Sequence, residues 1–306
     1  MAAFSFTWPD GADLMPGVRV MLALLIGLLL ATAAVVRPLG RTTPGPLRQQ
    51  VTSWWLLLPP VFAAWALYPL GVPALVLLIS ALAARDLVAL CDPARATPLR
   101  WCFVGLMALQ AALCAAGLAL WNVVLMAALV PLLVHRWRTQ AATRRESLLQ
   151  ALFALQSAGL WCLVALPTDL MPRDQSATWF LYLCVVTALN DIGQFLVGTR
   201  FGRHRLATRI SPNKTWQGVG GGLLVSVLCS VLVGQALGLA SLPWLVGMGL
   251  VLSIAGLLGD LMFSAGKRWL GVKDYSRLIP GHGGILDRVD SLVLTAPVLL
   301  IALRIT

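Results

Sequence analysis

The residues best suited to chemistry lie between Asp260 and Asp290 (DLMFSAGKRWLGVKDYSRLIPGHGGILDRVD), where 31 positions hold four of the chain's 12 acids and five of its 23 Lys/Arg. Carboxylates interleaved with cations suit a site that holds Mg²⁺ on the phosphates of a nucleotide and neutralises the charge of a transition state. On a helix, Asp260, Ser264, Lys267 and Arg268 fall within about one 100° arc. A helix carrying these four out of a membrane presents a polar line running from hydrocarbon into water, suited to holding a lipid headgroup and a water-soluble substrate together. A solvated helix end accounts for Lys267 and Arg268 but not for Asp260. Pro280, Gly281, His282, Gly283 and Gly284 predict a tight loop whose N–H groups can approach a polyphosphate. Asp287 and Asp290 share a face if a helix has begun there. Asp287 is equally placed to be the N-cap of that helix.

A second polar group lies upstream. Asn190 and Asp191 interrupt an apolar run, and an ionised Asp inside a membrane costs about 2.5–3.5 kcal/mol even on the lenient insertion scale. Such a residue faces a cavity, a cation or an Arg of a neighbouring helix; Gln194 and Gly198 follow on the same face. The segment Phe201–Gly222 (FGRHRLATRISPNKTWQGVGGG) then places Ser211, Asn213, Lys214 and Thr215 just before a glycine-rich helix start, an arrangement that favours a phosphate. No G-x-x-x-x-G-K-[ST] occurs, so this is not a P-loop. The glycines at 218, 220, 221 and 222 also suit close helix–helix packing.

The elements that must position these groups are membrane helices. With 59% hydrophobic and 11% charged residues and a mean hydropathy of +0.84, the chain has too little polar surface to coat a soluble globule. Apolar runs near the ~20 residues of a crossing predict spans at about 17–36, 52–70, 73–90, 101–118, 120–135, 148–166, 178–197, 219–239, 242–262 and 289–305. The fold class is therefore an all-α polytopic membrane protein of about ten (nine to ten) transmembrane helices. The fourth and fifth runs are close enough to be a broken pair. Alternate loops collect 20 of the 23 Lys/Arg, leaving Arg19, Arg173 and Arg304 on the other face. Positive charge is retained in the cytoplasm, which puts Asp260–Asp290 and the other polar loops on that side of a multi-pass protein. This topology signal accounts for the net charge of +11 without nucleic acid, and adds attraction to anionic membrane lipids.

The remaining features are structural. Residues 1–16 lack a basic n-region and a small-residue cleavage site, so no cleaved signal is expected. The six cysteines show no C-x-x-C pair and suit buried apolar positions. Trp54, Trp55, Trp101, Trp121, Trp179 and Trp244 near span ends suit headgroup anchoring. Arg85 and Asp86 read as a snorkelling pair at a cytoplasmic helix end. On this basis residues 1–166 form a helical scaffold with dimer or lipid contacts, and residues 167–306 carry the chemistry.

Within that C-terminal half, Ser264, Lys267, Arg268, Lys273, Asp274, Pro280, His282, Gly283, Gly284, Asp287, Arg288 and Asp290 closely resemble the signature of the phosphatidate cytidylyltransferases, or CDP-diacylglycerol synthases. That signature runs S-x-x-K-R, K-D, P-x-H-G-G and D-R-x-D. Phe201-Gly202-Arg203 and Ser211–Gly218 (SPNKTWQG) resemble the family's second block, so the resemblance covers roughly residues 178–306. It implies transfer of a cytidylyl group from CTP to phosphatidic acid at the cytoplasmic face of the inner membrane, with Mg²⁺, one or two cations, and a homodimer. It implies Asp260 and Asp287 as the metal ligands, assisted by Asp290 and Asp191, with Lys214, Lys267, Arg268, Lys273 and Arg288 around phosphates. His282 would shape the loop or bind substrate. Asn190-Asp191-Ile192 and Asn213 depart from the family pattern and imply a divergent bacterial paralogue. Other acceptor lipids, a binding protein without catalysis, and a transporter are the alternatives. A transporter would show two similar halves, and none are visible.

Overall fold

A computed structural model describes residues 11–36, 46–140, 143–166, 173–279 and 283–305. The chain is built from α1 (Gly11–Val36), α2 (Pro46–Ala66), α3 (Gly71–Ala89), α4 (Pro93–Ala115), α5 (Ala119–Thr139), α6 (Arg144–Ala165) and α7 (Arg173–Phe201), then a hairpin of β1 (Arg205–Ala207) and β2 (Ser211–Thr215), then α8 (Trp216–Ala236), α9 (Leu242–Leu270), α10 (Leu286–Val289) and α11 (Leu292–Ile305). Seven helices, α3 to α9, are long and apolar enough to cross a membrane. Helices occupy all ten expected places; among the described residues length and composition carry seven crossings, and α11 has 14 residues. The protein is a polytopic, nearly all-α membrane protein.

Helix faces explain the packing. On α8, Gly218, Gly222, Ser226, Ser230 and Gly234 are buried at four-residue spacing, while Leu224, Leu228 and Leu232 form an exposed stripe on another face. In lipid the exposed leucines need no protein partner, and the small residues let helices meet at backbone distance. A methyl group added at Gly222 would collide with Gln194 and Asn190 of α7, and one at Gly221 with Val197. Close packing therefore accounts for these two glycines. Ser226 donates to Gly249 O of α9 at 2.8 Å, extending the contact from α8 to α9. α6 lies inside the bundle, with Phe153, Leu160 and Trp161 fully buried, and contacts α3, α5, α9 and α11. Trp179 departs from the anchoring role expected of it: it is buried and packs edge-on against Tyr182 and Trp244.

Two local departures from the sequence expectations, and one expectation that holds, bear on the site: α9 does run out past Arg268. Residues 211–215 form the second strand of a small antiparallel hairpin, pairing Arg205 with Thr215 and Ala207 with Ser211. α9 continues to Leu270, where Gly271 at φ +74° closes it and Val272 N–H reaches back to Lys267 O at 3.0 Å. This left-handed closure turns the chain sharply after Lys267 and Arg268. The expected single helix over 289–305 is broken, because Asp290 and Ser291 separate the one-turn α10 from α11. Backbone crowding fits that break: Gly259 of α9 lies against Asp290 O, with no room for a side chain.

Candidate active site

α9 supplies the axis of the site. Ser264 donates to Asp260 Oδ1 at 3.1 Å, as four-residue spacing on one helix allows. The other oxygen of Asp260 receives Lys214 Nζ of β2 at 2.6 Å, and Lys214 also donates to Gln194 Oε1 of α7 at 3.0 Å. The β1–β2 hairpin makes this reach possible. Thr215 at its end caps α8, accepting Gly218 N–H at 3.1 Å, and Gln217 Oε1 accepts the N–H groups of Arg203 and His204. The Lys214–Asp260 pair is partly open, with side-chain exposures of 15% and 25%.

Two turns further along α9, Lys267 Nζ meets Asp287 Oδ1 at 2.7 Å, with exposures of 11% and 3%. Asp287 Oδ2 accepts the N–H groups of Gly284 at 2.9 Å and Tyr275 at 3.1 Å. Both oxygens of Asp287 are thus engaged, and the loop between α9 and α10 is wrapped around its carboxylate. Tyr275 fixes the loop from its other side by donating its hydroxyl to Phe263 O at 2.8 Å. Burial first, then the negative charges of Asp287 and Asp290, push the Tyr275 phenol well above its ordinary range. It therefore stays a neutral donor. Glycine at 283 sits at φ +77°, and Ile279 N–H donates to Gly283 O at 2.8 Å.

Asp191 and Asp290 complete the cluster. Asp191 lies within electrostatic reach of Asp260, Lys214 and Arg288, and Asp290 within reach of Asp260, Asp191, Arg288 and Lys267. Asn190 holds this end of α7 against α9 by accepting Ser253 Oγ–H at 2.7 Å, and its amide donates to Asp191 Oδ1 at 3.3 Å. Three carboxylates thus face Lys214 and Arg288, since Lys267 is committed to Asp287. The excess of negative charge fits a divalent cation. Among the described residues no group of three or more His, Cys, Asp or Glu is arranged to hold a metal ion; a Mg²⁺ here would take one or two of these carboxylates, with phosphates and water completing its shell.

Other expected site residues stand differently. Arg268 turns away from the carboxylates and donates to Ile210 O at 3.0 Å and Val272 O at 3.4 Å, tying α9 to the segment between β1 and β2. Lys273 and Asp274 are exposed, with Asp274 Cβ against Gly283; Asn213 is exposed and Ser211 half-buried on β2. The Thr215 hydroxyl is the α8 cap rather than an open phosphate donor. Gly284 N–H is directed at Asp287, which corrects the expectation that it faces a polyphosphate. His282 lies outside the described residues.

Sequence reasoning missed Asp86. It is buried at 3% exposure on α3 and accepts Ile285 N–H at 3.2 Å, so the N-terminal helices reach the chain just before α10 directly. A signal was present: Arg85 is adjacent rather than one turn away, and Leu82, Ala83, Ala89 and Leu90 offer no cation. A buried acid without a helical neighbour needs a partner from another element. Tyr275 and Gln217 were missed for want of any comparable signal.

A model of the cytidylyltransferase family matches residues 48–306, well beyond the 178–306 covered by the motifs. Over 156 residues, 51% of each chain, the sequence is 38% identical to a protein of Escherichia coli K12 named "Uncharacterized protein YnbB". Over 132 residues it is 42% identical to proteins of Staphylococcus aureus and Staphylococcus epidermidis named "Phosphatidate cytidylyltransferase", covering 43% of this chain and 51% of theirs. The chain spans about half the length of the curated relatives it matches.

Proposed function

The chain belongs to the cytidylyltransferase family, and from that premise we propose that it transfers the cytidylyl group of CTP to phosphatidate, releasing pyrophosphate and leaving CDP-diacylglycerol in the membrane. The observation that carries this reading is the 2.6 Å contact between Lys214 and Asp260. It joins the upstream hairpin to α9 at the polar end of a membrane helix, where a lipid headgroup and a nucleotide can meet. The charge distribution of the loops supports a site on the cytoplasmic face of the inner membrane, and the family resemblance supports a homodimer.

In the reaction, an oxygen of the lipid phosphate attacks the α-phosphorus of CTP. The new P–O bond forms as the bond from the α-phosphorus to the bridging oxygen of the β-phosphate breaks, and the electron pair leaves on pyrophosphate. A phosphate is already an anionic nucleophile, so neither a covalent enzyme intermediate nor a general base is required. Positioning and charge neutralisation supply the rate. Lys214, released from Asp260 by an incoming phosphate, binds that phosphate instead; Arg288 offers a second cation beside Asp191 and Asp290. Mg²⁺, when bound, neutralises the polyphosphate. Asp260 would be the open carboxylate to hold it, with Asp191 and Asp290 alongside, whereas Asp287 would have to give up Lys267 to do so. Lys273 is exposed and is a further cation for an incoming polyphosphate.

The test uses purified protein in lipid with Mg²⁺, phosphatidate and α-labelled CTP, following label into the lipid phase. Label enters lipid with wild type and not with Asp260→Ala. A folded wild type that binds CTP yet transfers no label to phosphatidate would overturn this acceptor, and other lipid phosphomonoesters would be tried next.

A further inference from the structure

Each of the two glycines that follow His282 stands against a carboxylate. A methyl group on Gly283 would lie 2.7 Å from Asp287 Oδ2, and one on Gly284 would lie 2.7 Å from Asp86 Oδ2 and 2.9 Å from Ser276 Oγ. Asp287 belongs to α10, within the signature, but Asp86 comes from α3, almost 200 residues upstream. The two grip successive backbone amides: Gly284 N–H donates to Asp287 and Ile285 N–H to Asp86. Ser276 Oγ stands against the same point of Gly284 as Asp86 Oδ2, and it accepts Leu278 N–H at 3.2 Å. Asp86 therefore fastens the chain at Ile285, next to the Gly284 amide that Asp287 holds.

We propose that Asp86 is a positioning residue for the nucleotide, acting through the backbone at Gly284 and Ile285 that leads into α10, and that Gly284 lacks a side chain in order to admit it. A carboxylate holds an amide donor more firmly than a neutral acceptor does. The loop so held keeps Asp287 and Lys267 in register beside Asp290 and the open Asp260. The arrangement also gives the N-terminal helices a part in the site: α3 packs on α6 and α4 and carries the carboxylate that holds Ile285. The consequence for CTP rests on the reading given under Proposed function, whereas the fastening of the loop does not.

Two readouts test this in full-length protein in lipid. The first is hydrogen–deuterium exchange over 276–286, in which Asp86→Ala and Gly284→Ala each speed exchange by about tenfold or more, the scale of one charge-assisted hydrogen bond. The second is steady-state transfer, in which both variants raise KM for CTP by about tenfold and leave KM for phosphatidate at its wild-type value. Asp86→Asn, which keeps one oxygen for the Ile285 amide, restores part of each effect. The double variant is no worse than either single one, because both remove the same contact. Ser80→Ala, which removes an α3–α6 hydrogen bond to Gln156, is the control for general loosening and moves neither readout. Exchange over 276–286 at the wild-type rate in Asp86→Ala would overturn the proposal, as would a loss confined to kcat with both KM values unchanged. If wild type transfers nothing to phosphatidate, the exchange measurement alone decides.

Discussion

Two ion pairs share one face of α9 and differ in almost everything except their chemistry. Asp260 meets Lys214 at a half-open position, with its other oxygen on Ser264; Lys267 meets Asp287 in the interior, with the other Asp287 oxygen on two backbone amides. An open pair between side chains contributes little to stability, about 0–1 kcal/mol, and exchanges readily with an incoming ion. A buried pair tied to backbone costs about 3–5 kcal/mol when one partner is removed, because the other is left as an uncompensated charge. The contrast separates a pair that ligands can take apart from one that holds the loop in shape. Had the exposures been reversed, the loop would be loose and the carboxylate nearest the membrane would be locked.

The largest effect expected from this contrast falls on Asp260. Asp260→Ala lowers cytidylyl transfer by roughly 10²–10³-fold, while the melting temperature stays near that of wild type; label transfer and thermal unfolding on the same preparation check both halves. Removal of Mg²⁺ by chelation stops transfer, and its return restores it, without unfolding the protein. Next comes Lys214→Gln, which raises KM for CTP by roughly 10-fold or more, the scale of a hydrogen bond to a charged group, and leaves stability almost unchanged. Gly222→Leu prises α8 from α7 and destabilises by about 1–3 kcal/mol as overpacking. Because it disturbs the seam carrying Gln194 and Lys214, it lowers transfer while leaving exchange over 276–286 unaltered. The smallest effect belongs to Arg268→Gln: its guanidinium serves two exposed carbonyls, so stability shifts within about 0.5 kcal/mol and KM for CTP stays near wild type.

Arg268 also shows how far the sequence could be read. Helical periodicity correctly put Asp260, Ser264 and Lys267 on one face, and the Ser264–Asp260 bond follows from four-residue spacing alone. Periodicity says nothing about which neighbour each side chain meets. Arg268, in the same arc, turns to Ile210 O because Gly271 reverses the chain beside it and the hairpin lies on its side. The hairpin itself was invisible: SPNKT has no alternation of apolar and polar residues, and its three-residue partner is too short to carry a pattern. Packing was one of two readings open for the glycines at 218, 220, 221 and 222; it fits 218, 221 and 222 but not Gly220, which has open space beside it. The break at Asp290 was not legible, because it depends on Gly259 of a different helix. Asp86 lay between these cases. Its need for a partner could be read from the sequence, but the partner's identity is tertiary.

The contrast between the two pairs is tested most directly by replacing each carboxylate with its amide and measuring thermal unfolding beside transfer. Asp260→Asn is expected to lose transfer and keep the wild-type melting temperature. Asp287→Asn, which strands Lys267 in the interior, is expected to lose transfer and to unfold at a clearly lower temperature. If Asp287→Asn unfolds as the wild type does, or Asp260→Asn is the less stable of the two, the division into a pair that ligands open and a pair that holds the loop is wrong.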